Sequence, residues 1–413
     1  MPKRSAPNAP RPPDSRRPTP VVPAARTRDI EYAIRDIAVE ADKLRKQGAK
    51  ILPLNIGDPL KYDFATPRHM IEATYKAMLA QQNGYSPSTG IDAAVAAIRR
   101  EAERKGIRNI LSLFVAHGAS EAIELCLSAL ADPGDNVLMP YPGYPLYTAV
   151  MQKIQSEIRP YYLDEANDWQ PDVADIEAKI DARTKAICLI NPNNPTGALY
   201  RRDVLLQVIE LARRHNLVVF SDEIYDKLVF DGKEHISTAS LADDVGFVTF
   251  NGLSKSYLVP GWRVGWAVIS GPREIMGDFD EAVHKFVRAR LCANHPEQFA
   301  IQPALEGPQD HLADVNARLT ERRDYTIDRL NAIPGISCVK PEGAFYAFPS
   351  IDVPMDDKTF TLRVLNECHV LVVHGSGFGQ KPGTQHFRVV TLPDRPTLEA
   401  AYDKLEAFMK RIR

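Results

Sequence analysis

Up to roughly residue 300 the chain alternates two kinds of apolar pattern. "DNVLMP", "KAICLIN", "LVVFSDE", "FVTFNG" and "GWAVIS" are nearly continuous apolar runs, while stretches such as "RRDVLLQVIELARRHN" repeat apolar residues every three or four positions. Continuous runs are strands buried on both faces and the periodic ones are amphipathic helices, so the pattern predicts an α/β unit whose mostly parallel sheet is covered on both sides. Upstream, "IEYAIRDIAVEADKLRKQG" keeps helical spacing and stops at Gly48, a C-capping glycine. Downstream, "GISCVKPEGAFYAFPSI" and "HFRVVTLP" read as antiparallel strands, flanked by the helical patterns "DKTFTLRVLNECH" and "PTLEAAYDKLEAFMKRI". Four parts follow: a disordered Pro/Arg-rich tail over 1–27, an N-terminal helix and arm over 28–60, a large domain over 61–300 and a smaller α+β domain over 301–413.

Charge and composition narrow the function. Among 413 residues, 51 basic side chains face 53 acidic ones, so no global field favours nucleic acid. The tail is locally basic but has no interleaved aromatics, which marks a solvated leader rather than an RNA-binding arm. Five scattered cysteines without a CxxC pair argue for reduced thiols, not for a disulfide framework or a zinc site. No window approaches the roughly 20 apolar residues that span a bilayer, and no secretory signal is visible, so the expected location is the cytoplasm, without membrane contact. The ten histidines lack HxxxH or HExxH spacing, and His117 and His374 read as packing or hydrogen-bonding residues. No metal is expected.

In open α/β sheets ligands bind beyond the carboxyl ends of the strands, so polar residues that follow apolar runs carry the chemistry. Gly118, Ala119 and Ser120 precede a helix, where free N–H groups favour a phosphate, although a turn that merely caps the helix is the commoner case. Asn191 to Gly197 close another run with ordinary turn residues. Asp222, Glu223 and Tyr225 end the next; Asp222 is then a partly buried carboxylate in need of a cation, or simply a helix cap or ion-pair partner. Lys255, between Ser254 and Ser256, follows "FVTFNG". A lysine is ordinarily a surface charge, but in a desolvated pocket it loses basicity and becomes a nucleophile able to form an imine with an aldehyde. Ser254 and Arg263 would suit a phosphate on that aldehyde. Together these residues meet the needs of pyridoxal phosphate.

The strings "LNIGDP", "YSPSTG", "HGASEA", "YPGYPLY", "NPNNPTG", "SDEIYD", "NGLSKSY", "GWRVGW" and "HFRVV", in this order, make the chain resemble the class I and II aminotransferases of the aspartate aminotransferase fold, from about residue 28 to the end. "NIGDP", "DWQPD", "RLCAN" and "VHGSGFG" look most like the alanine aminotransferase branch. The resemblance implies fold type I of the pyridoxal-phosphate enzymes and a ping-pong amino transfer from an L-amino acid, alanine, to 2-oxoglutarate. Lys255 would bind the cofactor's aldehyde and then move the α-proton, and Asp222 would keep the pyridine nitrogen protonated. Asn194 and Tyr225 would donate to the phenolate oxygen, and Tyr144 would stack on the ring. Ala119, Ser120, Ser254 and Arg263 would hold the phosphate, joined by Tyr85 of a neighbouring subunit, which implies a homodimer with shared sites. Arg388 would clamp the substrate α-carboxylate beside Gly57 and Asn194. Arg288, Arg290 and the partner's loops are candidates for a second cation that reads a distal carboxylate. Aspartate or broad specificity, a β-lyase reaction and a cofactor-sensing regulator are the alternatives, and the residues ahead of the fold are too few and too rich in proline for a helix-turn-helix.

Overall fold

The computed structural model describes residues 20–27 and 33–412. Most of the tail expected to be disordered, and the "IEY" start of the first helical pattern, lie outside the described residues. Within 20–27 the chain makes one exposed 3-10 turn, Ala25–Thr27. The first helix, Ala33–Lys46, ends where the sequence predicts, with Gly48 at φ +92°.

The strands in chain order are β1 (Leu52–Pro53), β2 (Ile110–His117), β3 (Asn136–Tyr141), β4 (Glu157–Asp164), β5 (Gln170–Pro171), β6 (Thr184–Ile190), β7 (Val218–Asp222), β8 (Phe247–Gly252), β9 (Val264–Ser270), β10 (Ile336–Ser337), β11 (Tyr346–Ala347), β12 (Ser350–Ile351), β13 (Val370–Leu371), β14 (Val373–His374) and β15 (Phe387–Val390). The large sheet has the order β2-β9-β8-β7-β6-β3-β4-β5. From β8 to β4 the pairings are parallel, β9 runs antiparallel between β8 and β2, and the two-residue β5 adds an antiparallel edge. Without the short β5 the sheet has seven strands. Side chains alternate between two cores: Ile187 and Leu189 of β6 join one, Ala186, Cys188 and Ile190 the other. This is the period-2 pleat of a strand covered on both faces.

Beyond residue 300 the sheets are small. β11 and β14 flank β15 in antiparallel pairing, β10 pairs with β12, and β1 returns from the N-terminal side to pair in parallel with β13. The helix Arg395–Ile412 closes a third core with Leu398, Tyr402, Leu405 and Phe408 against Phe360.

Candidate active site

Because β2 and β8 run in the same sense as β3, β6 and β7, all five end at one edge of the sheet, and the reversed β9 begins there. Each strand delivers one group to that edge. Gly118 follows β2, Tyr144 follows β3, Asn194 follows β6, Asp222 ends β7, Lys255 follows β8 and Arg263 precedes β9. The small sheets add Tyr346 from β11 and Arg388 from β15, and the segment after β1 adds Gly57. Between them lies a cavity of about 710 Å³.

Lys255 Nζ donates to Gly57 O at 2.8 Å. Asp222 accepts from Tyr147 Oη at 3.1 Å and from the Ile224 N–H at 3.2 Å, so two neutral donors serve a buried carboxylate. The hydroxyls of Tyr225 and Tyr346 lie 2.9 Å apart. Arg388 donates through Nη1 to Asn194 Oδ1 at 3.0 Å and through Nη2 to Asn55 O, with its guanidinium 4.5 Å from the Tyr346 ring centre and 4.6 Å from that of Phe378. Two rings and two oxygens leave that planar fork little freedom.

The opposite end suits an anion. The helix Ala119–Leu130 starts at Gly118, φ 76°, with no side chain capping its first turn. A Cβ on Gly265 would sit 2.2 Å from Ala119 N, so β9 lies against the helix start only because residue 265 has no side chain. Arg263 closes the same corner, donating to His117 O at 3.2 Å and Ser120 Oγ at 3.4 Å. First-turn N–H groups, the helix dipole and a guanidinium together favour a phosphate.

The family description "Aminotransferase class I and II" matches residues 49–405. The chain is a class I and II aminotransferase. Among its relatives, the glutamate-pyruvate aminotransferase AlaA of Escherichia coli (strain K12) is 40% identical over 400 residues, covering 95% of this chain and 98% of that protein. The alanine aminotransferase of Mycobacterium tuberculosis (strain H37Rv) is 43% identical over 396 residues, covering 94% of this chain and 92% of that one. Among solved structures, the alanine aminotransferase from Pyrococcus furiosus superposes with a TM-score of 0.91 at 46% identity, covering 94% of this chain and all of that one (100%).

Electrostatically the aminotransferase keeps two strained charges in its cavity. Burial pulls the Lys255 amine down to about 8, helped by the Arg388 charge. Burial also pushes the Asp222 carboxyl up to about 6 against the pull of its two hydrogen bonds. Burial and then the Tyr346 hydroxyl hold the Tyr225 phenol well above its usual range, so it stays protonated and able to donate. The arrangement suits a flat, phosphorylated ligand with an aldehyde at one side and a basic ring nitrogen at the other.

All the residues predicted for the site except Tyr85 line this cavity: Gly57, Ala119, Ser120, Tyr144, Asn194, Asp222, Tyr225, Ser254, Lys255, Arg263 and Arg388. Tyr85 is 81% exposed and does not line the cavity. Arg288 pairs with Glu281, and Arg290 bonds Glu121, Ser88 O and Val115 O; neither lines the cavity. His117 bonds the Glu121 carboxylate and His374 the Ser376 hydroxyl. No cluster of three metal-ligating side chains occurs, and no helix is long and apolar enough to cross a membrane, among the described residues. Sequence reasoning missed Tyr346, Tyr147 and Asn55. Tyr147 had a signal, since it follows Tyr144 at helical spacing; Tyr346 had none, because a strand tyrosine carries no mark of the distant Tyr225 hydroxyl it meets.

Proposed function

We propose that the aminotransferase binds pyridoxal phosphate and transfers the amino group between alanine and 2-oxoglutarate, with pyruvate and glutamate as the products, in a ping-pong cycle. The observation that carries this reading is a largely buried amine, lowered to about 8, that shares one cavity with a buried carboxylate contacted by no cation among the described residues, beside an uncapped helix start. The substrate pair is taken from the relatives named glutamate-pyruvate and alanine aminotransferase. The cofactor fits the donor set: Asp222 would hold its ring nitrogen, and Ala119, Ser120, Ser254 and Arg263 would hold its phosphate. When bound, it supplies an aldehyde carbon and an electron-withdrawing ring.

The chain's own residues do the rest. Lys255, partly neutral at physiological pH, is the nucleophile and afterwards carries the α-proton. Asp222 would keep the ring nitrogen protonated, Tyr225 and Asn194 would donate to the ring oxygen, and Tyr144 would stack on the ring. Arg388 binds the substrate α-carboxylate with its fork, next to Gly57. A homodimer belongs to this reading. The helix Arg68–Leu79 exposes Ile71, Tyr75, Met78 and Leu79 along one stripe near the exposed Tyr85, an apolar face suited to a second copy whose site Tyr85 would complete. So do a large cofactor domain over 61–300, a small domain built from 28–60 and 301–413, and a cytoplasmic location, which suits five unpaired cysteines.

Spectral titration of the purified holoenzyme tests the reading. Its visible absorbance should bleach with alanine and return with 2-oxoglutarate. Absorbance unmoved by alanine, or pyruvate and ammonia released from serine, would sink it in favour of a lyase; a response to aspartate alone would reassign the substrate.

A further inference from the structure

Glutamate and alanine differ by a distal carboxylate, so a cavity that serves both needs a cation that only one of them uses. Four cationic side chains line the cavity. Three are engaged: Lys255 with Gly57 O, Arg263 with His117 O, Pro260 O and Ser120 Oγ, and Arg388 with Asn194 and Asn55 O. The fourth, Lys61, is exposed, and its ammonium has no hydrogen bond or ion pair among the described residues.

Its placement follows from one stretch of chain, Asn55 to Lys61, that runs along the cavity wall. Asn55 O holds Arg388 and Gly57 O holds Lys255. The chain then turns through the 3-10 helix Pro59–Lys61, fixed by Asp58, whose side chain accepts from the Leu60 N–H. Tyr62 secures the far side by donating to Pro53 O at 2.9 Å. The Lys61 backbone is thus anchored four residues beyond the carbonyl that holds the reacting amine, while its flexible stem leaves the ammonium free to meet a ligand. Asp58 is the other charged residue of the stretch, and its tie to Leu60 keeps it at the turn.

We propose that Lys61 recognises the distal carboxylate of a dicarboxylic substrate, and so lets the cavity take glutamate and 2-oxoglutarate as well as a substrate whose side chain is only a methyl group. This rests on the functional reading above. An ammonium on a flexible stem is well matched to such a dual demand, because it can swing onto a distal carboxylate when one is present and return to water when alanine or pyruvate occupies the site.

Calorimetry on the holoenzyme with two unreactive probes, glutarate and butyrate, reads the contact directly, and steady-state kinetics reads it in turnover. Lys61→Gln is expected to weaken glutarate binding, and to raise KM for glutamate and 2-oxoglutarate, by about tenfold, while butyrate affinity and KM for alanine and pyruvate move by less than about twofold. Lys61→Arg keeps the charge and should restore most of the difference. Glutarate bound equally by wild type and Lys61→Gln overturns the proposal, and so does a loss shared equally by glutarate and butyrate. Wild-type protein that turns over neither alanine nor glutamate sinks the functional reading instead, with the glutarate-to-butyrate comparison still deciding what Lys61 does.

Discussion

Two largely buried lysines stand close to the end of β7, and burial alone would lower the basicity of both. Lys105 meets the carboxylates of Asp226 and, at 3.8 Å, Glu223, and these two more than offset its burial, so its amine is pushed up. Lys255 meets a carbonyl and the distant charge of Arg388, and its amine falls to about 8. The carboxylates repeat the contrast. Asp226 is held below its usual range, its burial outweighed by Lys105, Lys227 and His235, whereas Asp222 rises to about 6. Adjacent residues of one chain, Asp222 and Glu223, even part company. Glu223 Oε1 accepts from Ser221 and Ser237 hydroxyls and the Thr238 N–H, and Asp222 is left to the cavity. Burial is common to both places; pairing separates a charge that holds the fold from one kept ready for a ligand.

The contrast breaks first at Lys255. Lys255→Ala should lower turnover more than about a thousandfold, because the proposed nucleophile and proton carrier vanish together; a variant retaining a tenth of the wild-type rate would refute the assignment. Lys105→Met should leave turnover chemistry in place yet destabilise the protein by about 3 to 5 kcal/mol in urea unfolding, since it strands buried carboxylates without their cation. Asp222→Asn should do the opposite in cofactor-free protein. A carboxyl whose folded pKa rises from 3.8 to about 6 costs stability that is absent below the lower value and full above the higher, at most about 3 kcal/mol. Thermal unfolding of the variant should therefore gain on wild type at pH 8 and match it at pH 3.5, and a pH-independent difference would show that the carboxylate is not under that burden. The smallest effect is a midpoint. Cofactor capture by the apoprotein should quicken as pH rises and level off above about 8, the amine's own value, whereas a midpoint near that of a free lysine would mean that Lys255 is not desolvated.

Much of this site was legible because strand ends punctuate the sequence. Asp222, Asn194 and Lys255 each follow an apolar run with an abrupt change to polar residues, and parallel strands bring such endings to one edge. Less legible was β4, where Arg159 and Pro160 interrupt the apolar run of a strand near the sheet's edge. The end of β2 was read only as part of a turn before a helix, and nothing in "GWAVIS" marks β9 as reversed, since a strand buried on both faces reads the same in either direction. Asn55 escaped because it acts through its backbone oxygen, which any residue type would present.

The hydrogen bond from Arg388 to Asn55 O joins residues 333 positions apart, and β1 pairs with β13 across almost as much of the chain. Such contacts close last, since a long loop must be ordered before they form. During synthesis, Leu52 to Gly57 must wait for nearly every later residue to emerge. The wall that holds the Lys255 amine is therefore completed only when the C-terminal strands have folded, and a ribosome-bound chain short of β15 would have that lysine but not the Arg388 guanidinium that shares its cavity.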